Sequence, residues 1–423
     1  MMGKLATGRR GTGEPPLVTG GTNGLGSYME PSYSGSNGDI QLKNHGRCDA
    51  DTQIRRKHNK FKVPGIGCFK LKVVEDMDGN IDVQAVGDDH SLPLPTHLIV
   101  AVNGIIGSAE NWKFIAKQFV REYPQDVMVH CSRTNCRGRT FDGVDVMGDR
   151  LAKEVLSVVK RHQSVKKISF LGHSLGGLIA RYAIARLYKS EQKGELVPTI
   201  GHEQADPTAA EQRKEETIAG LEPMNFITLA TPHLGSRAHK QVPLFCASYA
   251  LEKTAARLSW FLGRTGKHLF LTDGENGKPP LLVQMTRDTD LKFMSALQSF
   301  ERRVTYANVR FDCLVGWSTS SLRSSNTMPK AKHLSSDAKY RHIVHLRTPA
   351  TALPLEESKN HMGAYEEEML RSLTRISWER VDVKFNGRKQ IFLAHNSIQV
   401  QNHFLHSKGT DVIQHMVDTF LLV

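Results

Sequence analysis

The spacing of apolar positions changes several times along this chain, and each change marks an element. Residues 1–60 carry almost no apolar periodicity and are rich in Gly, Ser and Asn, so they are expected to be a disordered tail. From Phe61 the pattern tightens. Val63 to Val74 and Ile81 to Val86 read as two strands around the turn Asp76-Met77-Asp78-Gly79-Asn80. Leu98 to Val102 is a continuous apolar run, as in a strand buried on both faces. A helical stretch follows from Ser108 to Tyr123, then a strand from Asp126 to His130. The next helix, Val146 to His162, places Met147, Leu151, Val155 and Val158 on one face. Ile168 to Leu171 is a short buried strand, and the helix after it carries Leu178, Ile179, Tyr182, Ile184, Leu187 and Tyr188. Later strands are expected at Asn225 to Ala230, Arg303 to Arg310 and Trp378 to Phe385. Asn386-Gly387 signals a hairpin, whose returning strand ends near His395. Helices are expected at Ala364 to Ser372 and Asp411 to Leu422.

Strands alternating with helices predict an α/β fold with a doubly wound, mostly parallel sheet. Two polar stretches, about 189–221 and 318–360, read as exposed insertions. The apolar, irregular stretch of about 237–295 contains Phe245, Trp260 and Phe270, and reads as a helical lid or cap. The expected organisation is therefore a tail at 1–60 and one domain at 61–423.

The strand at Ile168 to Leu171 runs into Gly172-His173-Ser174-Leu175-Gly176, which fits G-x-S-x-G, and then into a helix. A serine on a strand-to-helix turn this sharp needs glycines around it, because side chains there would clash. It is the nucleophile elbow of an α/β-hydrolase. The following helix points its N-terminal N–H groups at the place where negative charge develops. In this fold the loop after the first buried parallel strand supplies one donor of the oxyanion hole. That loop is Asn103-Gly104-Ile105, so the donors are assigned to the N–H groups of Ile105 and of Leu175. Many lipases carry His-Gly at this place; this chain carries Asn-Gly.

A serine hydroxyl needs a base to remove its proton, and the base needs a carboxylate to orient it. The fold delivers them in the order Ser, acid, His. Asp312 follows the strand beyond the lid and His395 follows the last strand, which makes Ser174, Asp312 and His395 the candidate triad. Competing positions fit less well. His173 is tied to the elbow turn, and His233 precedes every plausible acid. His342 and His345 lie in a strand-like stretch, His361 lies in a loop, and His403, His406 and His415 are on or near the last helix. Asp288 and Asp290 lie in the lid region, and Asp382 is in mid-strand.

A second glycine-rich stretch, Gly20 to Gly26, imitates a dinucleotide fingerprint, and Tyr249 with Lys253 has the spacing of a dehydrogenase pair. The fingerprint lacks the preceding strand and following helix that would hold a pyrophosphate. No cofactor and no metal are expected. The six cysteines show no metal-ligand pairing and fit reduced thiols, hence an intracellular, cytoplasmic setting. The acid-poor start, with Lys4, Arg9 and Arg10, faintly resembles a plastid or mitochondrial targeting segment. No apolar run reaches the roughly 18 residues of a membrane span. Of 423 residues, 39% are hydrophobic and 23% charged, enough for a sizeable core. The net charge of +13 favours anionic surfaces. With no nucleic-acid module in the chain, that charge suggests peripheral contact with an anionic membrane rather than with nucleic acid.

Several segments together resemble the lipase-like serine esterases of plants, a branch of the α/β-hydrolases. They are Val102-Asn103-Gly104-Ile105 with Asn111-Trp112, Thr140 to Gly148, Gly172 to Gly177 and Leu229 to Gly235. The others are Tyr306-Ala307-Asn308-Val309 with Asp312, Val315-Gly316-Trp317, and Ala394-His395-Asn396 with Ile398-Gln399-Val400. The resemblance spans most of residues 95–421. It implies Ser174 as nucleophile with Asp312 and His395 as partners, and leaves the substrate open. The resulting expectation is hydrolysis of carboxylic esters, with lipid acyl esters favoured by the apolar lid. An acyl-protein thioesterase and a catalytically silent binding protein of the same fold are the alternatives.

Overall fold

In the computed structural model of the chain, the described residues are 61–63, 67–87, 92–191, 215–236, 262–324, 327–346 and 363–423. The expected tail, the glycine-rich imitation at Gly20 to Gly26, Tyr249 with Lys253, and residues 237–261 of the expected lid lie outside them. All described residues belong to one unit. Its strands are β1 (Phe61–Val63), β2 (Gly67–Glu75), β3 (Ile81–Gly87), β4 (His97–Val102), β5 (Val127–Cys131), β6 (Lys167–His173) and β7 (Tyr188–Glu191). They continue as β8 (Glu215–Ile218), β9 (Glu222–Leu229), β10 (Arg302–Asn308), β11 (Leu334–Ser336), β12 (Ile343–Leu346) and β13 (Glu379–Val383). Eleven of these form one sheet in the order β1-β2-β3-β5-β4-β6-β9-β10-β13-β12-β11. The block from β5 to β13 is parallel, and antiparallel strands extend it at both edges.

Leu98, Val100 and Val102 face one side of β4 and Ile99 and Ala101 face the other, and all five are buried. Burial on both faces explains why the run is apolar without alternation. On the first side pack α2 (Val144–Arg161) and α3 (Leu175–Leu187), through Leu151, Val155, Leu178 and Ile179. On the other lie α1 (Lys113–Glu122) and the last helix, through Ile115, Phe119, Ile413 and Met416. Asp145 in the first turn of α2 and Lys160 and Arg161 in its last turn complement the helix dipole. This is the α/β-hydrolase architecture, with ligand-facing loops at the carboxyl ends of the parallel strands.

The remaining helices are α4 (Gly263–Leu269), α5 (Leu281–Gln284), α6 (Phe293–Gln298), α7 (Trp317–Ser321), α8 (Ala364–Leu373), α9 (Ala394–Ser397), α10 (His403–His406) and α11 (Thr410–Asp418). The described part of the expected lid is α4 to α6. Its Leu269, Leu282, Val283, Phe293 and Leu297 are buried in the same cluster as α2 and α3, so this part packs as core.

Three expectations change. The helix after the elbow is buried nearly all round rather than on one face, because the sheet, α2 and α6 surround α3. The stretch 318–360 is more than a polar connection, since β11 and β12 within it extend the sheet through β13. Likewise 189–221 contains the antiparallel pair β7 and β8. Finally, no strand returns after Asn386-Gly387. Gly387 does take φ 101°, but residues Arg388–Ile391 form a 3-10 turn. The reason is that β13 already pairs with β10 on one edge and β12 on the other, which leaves no free edge for a hairpin partner.

Candidate active site

Ser174 ends β6 and begins α3, with φ 55° and ψ −127°. A non-glycine residue pays for this conformation, so the surroundings must hold it there. They do so with the Ser174 N–H donating to the Leu229 carbonyl at 2.9 Å and the Gly177 N–H donating to the Ser174 carbonyl at 3.2 Å. Glycine is required next door. A Cβ on Gly176 would lie 2.2 Å from the Val102 carbonyl oxygen, and one on Gly104 would lie 2.8 Å from Ser174 Cβ. The β4 loop is thus pressed against the elbow. Ser174 is 8% exposed, and its Oγ makes no hydrogen bond among the described residues.

Asp312 and His395 arrive from the carboxyl ends of β10 and β13. The His395 Nδ1–H lies 3.0 Å from Asp312 Oδ2 and 3.1 Å from Oδ1. Because a carboxylate only accepts, Nδ1 carries the proton and Nε2 is left as the acceptor. Three more donors converge on Asp312: Asn308 Nδ2 at 2.9 Å, the Leu314 N–H at 3.0 Å and the Val315 N–H at 2.9 Å. Burial alone would push this carboxyl up. The His395 charge and hydrogen bond, with Asn308 and Val315, outweigh it and hold Asp312 below the usual carboxylate range. No hydrogen bond joins Ser174 to His395 in this resting arrangement among the described residues.

Sequence reasoning missed the residue that steadies the histidine from behind. His173 donates from Nε2 to the His395 carbonyl at 2.8 Å, and the two rings lie 4.7 Å apart. Burial first, then the neighbouring His395, lower its pKa to about 3, so it is neutral. Asn308 was missed too, although it lies in a motif of the resembling family; it also reaches the Ala394 carbonyl at 3.3 Å. A third is Arg181 on α3, buried and donating to the carbonyls of His233 and Met285. The only available signal was a cation at a core-facing helix position.

The Asn103–Gly107 loop explains the Asn-Gly pair. Asn103 Nδ2 donates to the Gly104 carbonyl at 3.1 Å and to the Asn135 carbonyl at 2.8 Å, fixing the loop from below. The Ile106 N–H donates to Thr140 Oγ1 at 3.1 Å, and that hydroxyl donates to the Arg137 carbonyl at 2.6 Å. The N–H groups of Ile105 and Leu175 donate to no protein acceptor among the described residues.

The competing residues are engaged elsewhere. His233 is buried against Thr228 Oγ1 at 3.0 Å, His342 pairs with Asp411 and His345 with Asp337. His415 meets the Tyr306 hydroxyl, His406 accepts from the Asn402 N–H, and the His403 ring stacks on Phe114. Asp382 is bound by Trp317 and Arg323, and Asp288 caps α6 at Met294 and Ser295. Asp290 is exposed, and His361 lies outside the described residues. Among the described residues no group of three His, Cys, Asp or Glu is arranged to hold a metal ion.

The profile of a family described as "Putative serine esterase (DUF676)" matches residues 93–325, more than half of the chain. The "Putative lipase ROG1" of Saccharomyces cerevisiae is 31% identical over 235 residues, 53% of this chain and 28% of that protein. The "Putative lipase YDR444W" of the same yeast is 23% identical over 329 residues, 70% of this chain and 43% of that protein. The matched part thus spans less than half the length of either curated relative. These relatives are fungal, so the match establishes the family and not its plant branch. Among solved structures, carboxyl esterase 2 of Tuber melanosporum superposes at a TM-score of 0.36 with 11% identity, over 86% of this chain and 88% of its own.

Proposed function

The chain belongs to this serine esterase family, and from that premise we propose that it hydrolyses carboxylic esters with Ser174 as nucleophile, His395 as general base and Asp312 as its orienting carboxylate. The main support is the Asp312–His395 hydrogen bond, set beside a serine held in a strained strand-to-helix turn. In this reading substrate binding closes the gap between Ser174 Oγ and His395 Nε2, as often happens on going from a free site to a complex. Oγ attacks the acyl carbonyl and its proton passes to Nε2. The carbonyl oxygen becomes an oxyanion, which accepts from the Ile105 and Leu175 N–H groups. The ester C–O bond breaks as Nε2 returns the proton to the leaving alkoxide. Water, deprotonated by the same nitrogen, then cleaves the acyl-enzyme and releases the acid. Asp312 keeps His395 in the required tautomer and stabilises the imidazolium in each half.

The preference for lipid esters rests on a second feature. Ile106 is 63% exposed, Leu314 57% and Phe392 75%, and these three lie within three residues in sequence of Ile105, Asp312 and His395. Large apolar side chains set around a hydrolytic centre suit an acyl chain or a lipid surface. The test is labelling of the folded protein by a fluorophosphonate probe. Labelling is expected in the wild type and absent in Ser174→Ala, and kcat is expected to fall by on the order of 10⁶-fold. Labelling that persists in Ser174→Ala would remove Ser174 from the role. Ile106→Ser with Phe392→Ser is expected to raise KM for a nitrophenyl palmitate while leaving that for the butyrate nearly unchanged. Equal effects on both esters would remove the lipid preference.

A further inference from the structure

A cleft of about 1020 Å³ lies between the loop after β5, the outer face of α2 and the β2–β3 turn. Its walls carry Arg133, Arg137, Arg139, Arg150, Lys153 and Arg161, against only two acids, Asp78 and Glu154. The Glu154 carboxylate is already engaged, with Oε1 3.1 Å from His130 Nε2 and Oε2 accepting from the Ser132 hydroxyl at 2.6 Å. Arg150 is balanced by Asp142 at 2.6 Å, and Arg161 is 3.7 Å from Asp76. Arg133, Arg137, Arg139 and Lys153 form no ion pair with a carboxylate among the described residues. Four like charges lining one concave wall repel each other, and an anion between them relieves that repulsion. Guanidinium groups present paired N–H donors that match phosphate oxygens.

We propose that this cleft is a binding site for a phosphate-bearing ligand, separate from the ester-cleaving centre. A cleft of this volume takes a group of lipid-headgroup or sugar-phosphate size. The phosphate would sit between Arg137, Arg139 and Lys153, which are exposed and form no ion pair with a carboxylate among the described residues. The ligand chemistry is the phosphate group itself, carried either by a soluble molecule or by a lipid headgroup.

The test uses the full chain and needs no catalysis, so its failure is distinct from failure of the esterase reading. Calorimetric titration with glycerol 3-phosphate probes the soluble source. Flotation with phosphatidylcholine vesicles, with and without phosphatidic acid, probes the lipid source, and citrate serves as the carboxylate comparison. Wild-type binding to glycerol 3-phosphate or to the phosphatidic acid vesicles is expected, weakening as salt is raised. It should fall at least about tenfold in the double variant Arg137→Glu with Arg139→Glu. Lys153→Glu, on the exposed face of α2, is the second variant should the first misfold, as judged by its thermal midpoint. Binding of glycerol 3-phosphate assigns a soluble ligand; binding confined to the vesicles assigns a headgroup. No binding by the wild type to either probe, unchanged binding in both folded variants, or equal affinity for citrate would overturn the proposal.

Discussion

Asp312 is where two opposing effects meet at a single carboxyl group. Burial favours the neutral form, while His395, Asn308 and Val315 favour the charged one and win. Its folded pKa is thus depressed, so its contribution to stability is present above the ordinary carboxylate range and is lost as pH falls through the depressed value. Asp312→Asn keeps the shape but replaces the acceptor pair with a group that can hold the wrong tautomer. It is expected to lower kcat for ester hydrolysis by roughly 10⁴-fold with little change in KM; a loss below tenfold would move the role elsewhere. His173→Phe keeps a ring against His395 but removes the donor to its carbonyl. It should cost about 1–3 kcal/mol in denaturant unfolding and lower kcat more than it changes KM. An unchanged kcat would make His173 a packing residue only. At this scale the sharp turn at Ser174 and the meeting of Asp312 with His395 were legible, because motif spacing and fold order pick them out. His173, Asn308 and Arg181 were not, because what each does depends on a partner that only the folded chain brings near.

Among the elements, the parallel block was readable because double burial makes each strand a continuous apolar run. The short strands β7, β8 and β11 were not. β12 is four residues long and is covered by β11 on its outer side, and its pairing with β13 is what rules out the hairpin that Asn386-Gly387 suggests. The close approach of α3 to β4 gives a sharp expectation. Gly176→Ala must part the helix start from the Val102 carbonyl, and should cost about 1–3 kcal/mol or more in urea unfolding. A second expectation concerns His130 on β5, held between Asp82 at 2.6 Å and Glu154 at 3.1 Å. Burial opposes its charge, yet the hydrogen bonds and charges of the two acids lift its pKa to about 9 from 6.5. A raised pKa means stability that is complete below 6.5 and fades as pH rises through about 9. The thermal midpoint is therefore expected to decline over that window, and to lose this part of its slope in His130→Leu. That variant leaves two acids facing a buried gap and should be less stable by about 3–5 kcal/mol at neutral pH. A midpoint flat from 6.5 to 9 in the wild type would show that His130 is not charged.

Over the whole molecule, charge and closure matter most. The excess of +13 is not spread evenly, since six basic groups gather at one cleft. The sequence showed the excess but not the gathering, which brings α2 against the β2–β3 turn. Residues 421–422 are clasped to the amino ends of β6 and β9, in the middle of the parallel block. Asn225 exchanges two hydrogen bonds with Leu421, at 2.7 and 3.1 Å, and Lys167 Nζ donates to the Leu422 carbonyl at 2.8 Å. Asn225→Ala should loosen that clasp at a cost of about 1–3 kcal/mol, read as a lower urea midpoint.

The clasp bears on how the protein is made. Ser174 and the Val102 and Leu229 carbonyls that shape its turn are all translated before residue 236, whereas His395 is translated 221 positions after the serine. A growing chain can therefore shape the Ser174 turn early, yet His395, the base proposed for it, arrives only after β13 has been made. Under the proposed roles, a nascent polypeptide lacking residue 395 would have no general base for Ser174, and ester hydrolysis would begin only once His395 has docked.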